Sequence, residues 1–318
     1  MNSSGQLQRS NPILPSFRIN TIFILTILLI GLIIFFSTQS PYFLTKLNLF
    51  NILIQVTTIG LIAIPMTFII ISGAMDLSVG SILGLSAVAL GVLFQSGVNI
   101  WLSVLVAIIV GALAGSLNGL LIARYKMQAI VVTIGTLVMF RGLVYIITEG
   151  KPISGYPDAF YFLGQGTLFG LPFNVIVMVL LFGLAYFIIR KTRIGRYTYA
   201  LGNNEEAVRY SGINVTKIRF LTFLMSGVFA AIAGIFYVSR YASAQANAGE
   251  GIELDVITAV LIGGTHIFGG KGSLVGTFLG VLIIGTLRNG LNLMGVSVLF
   301  QTVILGVLIL IAVSRQNK

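Results

Sequence analysis

Residues 50–72 read FNILIQVTTIGLIAIPMTFIIIS, twenty-three positions without a charged side chain. A helix of that length rises about 35 Å, enough to cross roughly 30 Å of hydrocarbon. The run is continuous rather than alternating, which favours a helix over the short two-residue-period segments of a barrel strand. Comparable runs recur near 19–37, 78–95, 101–123, 128–148, 172–190, 219–240, 254–269, 273–290 and 297–314. The predicted fold class is an all-α membrane protein, a polytopic bundle of about ten transmembrane helices. Pro65 is expected to kink the run at 50–72 and leave a carbonyl for a neighbour to satisfy. The run at 254–269 is short and ends in GGTHIFGG (263–270), the pattern of a broken or re-entrant helix.

The composition agrees. Of 318 residues, 57% are hydrophobic and 8% charged, with a mean hydropathy of +1.03. So little charge cannot cover a water-facing surface, so most of the surface must face lipid. The formal net charge of +11 lies between apolar runs, which marks membrane topology rather than a nucleic-acid surface. Cysteine is absent, which excludes disulfides, thiol catalysis and cysteine–metal sites. The expected organisation is a polar N-terminal segment, 1–18, followed by a single transmembrane domain, 19–318. The first apolar run is read as an uncleaved span, because the residues after it do not form a convincing cleavage site.

Seven of the nineteen basic residues, Arg190, Lys191, Arg193, Arg196, Arg209, Lys217 and Arg219, fall in 190–219. The positive-inside rule places that loop in the cytoplasm, and ten spans then put both termini there. Arg124, Lys126, Lys271 and Arg315 fall on the same side, and 38–50, 149–171 and 241–253 on the other. Glycines spaced by four, at Gly80/Gly84, Gly111/Gly115/Gly119 and Gly276/Gly280, predict flat helix faces that let another backbone approach closely.

The loop 191–218 reads TRIGRYTYALGNNEEAVRYSGINVTKI from Thr192 onward. Asn203 or Asn204 can cap a short helix with Glu205 and Glu206 in its first turn and Gly212 just past its end. Two readings stand: a basic loop that fixes topology, or a docking element for a cytoplasmic partner.

Several polar residues lie in or beside spans. Asp76 sits between the second and third runs, where it caps the third or serves in gating. Glu253 and Asp255, at the outer end of the eighth run, line a pathway mouth or complement a helix N-terminus. Gln55, Asn118 and Thr136 either line a path for a hydroxylated solute or bond neighbouring helices. Arg141 snorkels outward or pairs with an acid. His266, the sole histidine, has no Cys, Asp or Glu beside it in sequence, so no metal site is expected. No nucleophile–base arrangement is visible, so no catalytic residue is assigned.

The loop 191–218, the stretch SAQANAGEGIELDVITAVLIGGTHIFGGKGSLVGT (243–277) and SGAMDLSVGS (72–81) resemble the permeases of ribose-type ABC importers. The likeness covers nearly the whole chain after residue 50. Residues 64–97 look most like permeases for the signal autoinducer-2, with rhamnose and ribose permeases close. The resemblance implies a multi-pass permease subunit in the bacterial plasma (inner) membrane, importing a monosaccharide-like solute, with autoinducer-2 favoured. It implies pairing with an identical or related permease, an extracytoplasmic solute-binding protein, and two cytoplasmic ATPase subunits. Residues 203–212 match the family's coupling helix, which makes Gly202, Asn203, Asn204, Glu205, Glu206, Ala207, Arg209, Ser211 and Gly212 candidate ATPase contacts. The chain itself lacks a phosphate-cradling loop. Its nearest approach, ending Gly270-Lys271-Gly272, has Thr265 at the first glycine and glycine after the lysine. It is therefore read as a non-enzyme without its own cofactor, ATP and Mg²⁺ belonging to the ATPase. The alternative is a stand-alone ion-coupled sugar transporter.

Overall fold

The computed structural model describes residues 21–314, so the segment 1–18, Arg315 and both chain ends lie outside the described residues. Ten helices fall on the ten apolar runs. They are α1 (Thr21–Gln39), α2 (Lys46–Ile71), α3 (Val79–Gln95), α4 (Ile100–Ala123), α5 (Ala129–Thr148), α7 (Phe173–Lys191), α10 (Val215–Tyr241), α11 (Ile252–Ile262), α12 (Leu274–Leu293) and α13 (Val298–Ser314). Three more lie between them: α6 (Asp158–Gln165), α8 (Arg193–Asn203) and α9 (Glu205–Tyr210). Four two-residue strands complete the described chain. β1 (Ile153–Ser154) pairs antiparallel with β4 (Ser243–Ala244), and β2 (Thr167–Leu168) with β3 (Leu171–Pro172).

Among the described residues, seven helices are long and apolar enough to cross a membrane. Burial sorts them: 83% of the α2 window is buried and 61% of the α10 and α12 windows, against 11% for α1. The centre of the bundle is therefore α2, α10 and α12, while α1, α5 and α13 turn large apolar side chains outward. Outward Leu and Ile are what a lipid-facing surface requires, since lipid is as apolar as the side chains.

The spaced glycines let backbones meet. Gly111 and Gly115 of α4 abut the Gly227 and Phe223 carbonyls of α10, making α4–α10 the most extensive helix pair. Gly276 and Gly280 of α12 abut Gly263 and Ala259 at and beside α11 in the same way. A methyl at these positions would overlap backbone.

α3 and α11 are broken spans. α11 has 11 residues, about 16 Å, roughly half the hydrocarbon thickness. Each is entered through a non-helical segment whose residues alternate in burial, the second running through β4 and then through turns over 246–251. In 72–78, Ser72, Ala74, Asp76 and Ser78 are buried. In 242–251, Ala244, Ala246 and Ala248 are buried. The stretch 241–253, expected as an outer loop, instead folds back into the bundle from the end of α10. The two lead-ins meet where Gly80, at the start of α3, packs on the Gly249 carbonyl and the Glu253 side chain.

Irregular backbone inside a bundle needs internal partners. Arg141 of α5 supplies them for the second lead-in, donating from Nη1 to the carbonyls of Ala246 (2.9 Å) and Ala248 (2.8 Å). Its hydrogen bonds are thus to backbone carbonyls inside the bundle rather than to an acid.

Candidate functional site

One end of the bundle gathers the basic loop, the α4–α5 turn with Arg124 and Lys126, and the turn 263–273 with Lys271. Thr192 starts α8 as its N-cap, and Gly195, Thr198 and Leu201 form its buried face. That helix was read as loop, because its outward residues are polar; the three-residue spacing of its buried side was the available signal. At its end, Gly202 packs against the Ile71 carbonyl and the Gly270 amide, leaving no room for a Cβ. Asn203 Nδ2 donates to the Gly270 carbonyl (3.4 Å) and the Tyr199 hydroxyl to that of Gly272 (2.8 Å). Burial pushes the Tyr199 phenol above its ordinary pKa, so it remains a donor. Gly270 N–H in turn donates to Ile71 O (2.9 Å). α8 is thus bonded to the turn after α11, and packed on the last residue of α2 before the lead-in to α3.

α9 follows at once. Asn204, rather than Asn203, is its N-cap, accepting from Ala207 N–H (2.9 Å), and Gly212 turns the chain with φ +77°. Val208 anchors the helix in a small cluster with Leu201, Val215 and Ile218. Glu205 turns inward: its carboxylate accepts from Arg209 (2.8 Å) and from Arg219 of α10 (2.5 Å). Glu206, Ala207, Ser211 and Gly212 face out, and Tyr210 is 90% exposed. An exposed tyrosine on an anchored helix is the kind of side chain that carries protein–protein contacts. The sequence reading passed over Tyr210, although its place two residues after Val208 puts it on the opposite face.

Toward the other end lies a polar cavity of about 200 Å³, lined by Gln55 and Thr58 of α2, Tyr237, Arg240 and Tyr241 of α10, Asn247 and Glu250 of the second lead-in, Asp255 of α11 and Arg288 of α12. Arg288 Nη2 donates to Asp255 Oδ1 (2.6 Å), while its Nε has no partner. The Tyr237 and Tyr241 rings lie 4.5 Å apart. Paired carboxylate and guanidinium groups beside aromatic faces suit a ligand with many hydroxyls and an apolar ring face.

A family model described as "Branched-chain amino acid transport system / permease component" matches residues 48–313. The chain belongs to this family of permease components. Over 90% of its own length and 90% of the relative's, the permease is 46% identical to the ribose import permease protein of Bacillus subtilis (strain 168). It is 43% identical to the ribose import permease protein of Escherichia coli (strain K12), covering 92% of both chains. It is 36% identical to an autoinducer 2 import system permease protein of Yersinia pseudotuberculosis serotype O:3 (strain YPIII), covering 80% and 78%. Among solved structures it resembles a metal-chelate type ABC transporter in an inward-facing conformation, with a TM-score of 0.54, 15% identity, and coverage of 91% and 98%. That likeness concerns the fold.

The expected pathway residues divide. Gln55 and Asp255 line the cavity of the permease, and Glu253 sits beside Gly80. Thr136 is buried in α5 with its hydroxyl on the Val132 carbonyl (3.1 Å). Asp76 and Asn118 belong to a fully buried network instead. Asp76 Oδ1 accepts from Ser78 N–H (3.0 Å) and Ser78 Oγ (2.6 Å), and Oδ2 from Ser226 Oγ of α10 (2.7 Å). Asn118 Nδ2 of α4 donates to Ser78 Oγ (2.8 Å). Asp76 was expected at the cytoplasmic end of a span; it lies about three turns along α10, within the bundle. Ser78, not Asp76, holds the N-cap position of α3. His266 sits in the turn 263–273, its ring 5.8 Å from that of Phe268, and the described residues contain no cluster able to hold a metal.

Proposed function

We propose that this permease is the membrane-spanning subunit of an ATP-driven importer for a ribose-like monosaccharide. The observation that carries the reading is α9: a capped, anchored helix with an exposed outer face, following a helix bonded to the turn after one broken span and packed on the entry to the other. Such an element can pass a push from outside the bundle to both broken spans at once. The positive-inside rule puts that end in the cytoplasm, where two ATPase subunits would carry ATP and Mg²⁺. Glu206, Ala207, Tyr210 and Ser211 would meet them, while Glu205 fixes α9 to α10. The cavity at the other end would receive solute from a binding protein outside, and a second permease, identical or related, would complete the pathway. Both termini would be cytoplasmic.

The substrate preference shifts from the sequence reading. Identity to the two ribose permeases, 46% and 43%, exceeds the 36% to the autoinducer-2 permease, which supports ribose over autoinducer-2. The test is uptake of labelled ribose in cells that lack this chain but retain its ATPase and binding protein. Loss of uptake, restored by the wild-type chain, is expected; undiminished uptake would sink the proposal.

A further inference from the structure

Two adjoining cavities, about 520 and 410 Å³, open at the basic end between α4 and α10. They share Ala123, Asn214 and Thr216. Lys126, Arg209 and Arg219 line the first, and Arg124 and Lys217 the second. Glu205 is the one acid on either wall, and it is already held by Arg209 and Arg219. The cations therefore outnumber the acid five to one.

The first turn of α10 opens into the same space. A helix start favours anions, yet this one carries Lys217 and no acid. Arg219 adds a shielded Nε with no partner. Cations crowded at a helix N-terminus repel both the dipole and one another, and a bound anion relieves both. Lys126 is also held with φ +57°, in the left-handed region that glycine occupies at lower cost, which keeps a lysine at the lip of the cavity.

The second cavity has an apolar wall of Gly119, Leu120 and Phe220. Beyond it, Leu113, Leu117 and Leu120 form an exposed stripe along α4. Spaced by four and three, they share one helix face. A ligand seated here would meet cations at its head and an exposed apolar helix face beyond it.

We propose that these cavities form a binding site for the phosphate headgroup of an anionic phospholipid, with acyl chains laid along the Leu113–Leu117–Leu120 stripe. Basic pockets between helices at a membrane surface are suited to that chemistry. The site borders Glu205, so an occupied headgroup would share Arg209 and Arg219 with it and bias how firmly α9 is held to α10. The inference does not need the sugar assignment.

The test uses the full chain in detergent, titrated with phosphatidylglycerol, phosphatidylcholine or inorganic phosphate, and read by native mass spectrometry and melting temperature. Phosphatidylglycerol should be retained at least tenfold better than phosphatidylcholine and should raise the melting temperature. Lys126→Gly with Lys217→Gln should abolish the preference. Lys126→Gly alone should reduce it without lowering the lipid-free melting temperature, because glycine relaxes the left-handed turn. Lys191→Gln with Arg193→Gln removes equal charge away from the cavities and should change nothing. Equal retention of both lipids, or an equal loss in the control, would overturn the site. Protection by inorganic phosphate alone would overturn the lipid, and a cavity variant that fails only to hold the ATPase would reassign the cavities to that protein.

Discussion

The two lead-ins, 72–78 and 242–251, do the same geometric job by opposite chemistry. Each is non-helical backbone with alternate burial, each delivers the chain to the start of a broken span, and they meet at Gly80 and Gly249. The first arrives from the basic end, where Gly202 and Gly270 grip Ile71. It carries its own anchor, the Asp76 carboxylate, which gathers donors from α3 and α10. The second arrives from the far end, where β4 pairs with β1, and borrows its anchor from α5 as Arg141. One segment is held by an acceptor inside it and the other by a donor outside it. Since an orphaned buried donor is rarer in native proteins than an under-satisfied carbonyl, the first anchor is expected to matter more.

That ordering can be broken by substitution. Asp76→Ala leaves an N–H and two buried hydroxyls without their acceptor, at about 1–3 kcal/mol each, so a loss of at least 3 kcal/mol and poor recovery of folded protein are expected. Asp76→Asn keeps the shape and one acceptor oxygen, and should recover about half of that loss. Arg141→Met strands two carbonyls and should cost about 2 kcal/mol, measured as melting temperature in detergent. If Arg141→Met proves the more damaging, the contrast between the segments is reversed.

Gly202→Ala tests the grip at the base of the first lead-in. Its methyl meets the Ile71 carbonyl, so α8 must shift, at about 1–3 kcal/mol for the overlap. Transport should fall more than stability does, because the shift loosens the link to both broken spans. Smallest for the isolated chain are Glu206→Lys and Tyr210→Ala. Both side chains face outward, so melting should move by less than about 0.5 kcal/mol while recovery of a complex with the ATPase declines. Glu205→Ala should differ from them, since it breaks the ion pair with Arg219 that holds α9 to α10. Identical behaviour of Glu205 and Glu206 variants would erase the distinction between inward and outward faces.

The ten helices were legible because lipid demands long apolar runs, and a run such as 50–72 admits no other reading. The cap at Asn204 and the turn at Gly212 were legible from residue type and spacing. The lead-ins were not read, although Ala244, Ala246 and Ala248 alternate with the polar Ser243, Gln245 and Asn247. Helix periodicity was the pattern sought there, and a polar stretch between spans looked like loop. Asp76 was recognised as significant, but its partner Ser226 lies 150 residues away, and Asn118, which joins the network through Ser78, lies 40 residues beyond Ser78. The cavity residues Tyr237 and Arg288 were missed for the same reason: each is unremarked on its own helix, and only the crossing of α2, α10, α11 and α12 makes them neighbours.

The most direct test of the proposal that this permease is driven from its basic end is labelled ribose uptake into proteoliposomes. One set would hold the permease alone under a proton or sodium gradient. The other would hold it with its ATPase and second permease, with ATP inside and the binding protein outside. Uptake only in the second set, lost when ATP is replaced by a non-hydrolysable analogue, is the expected result. Uptake by the permease alone along an ion gradient would contradict it.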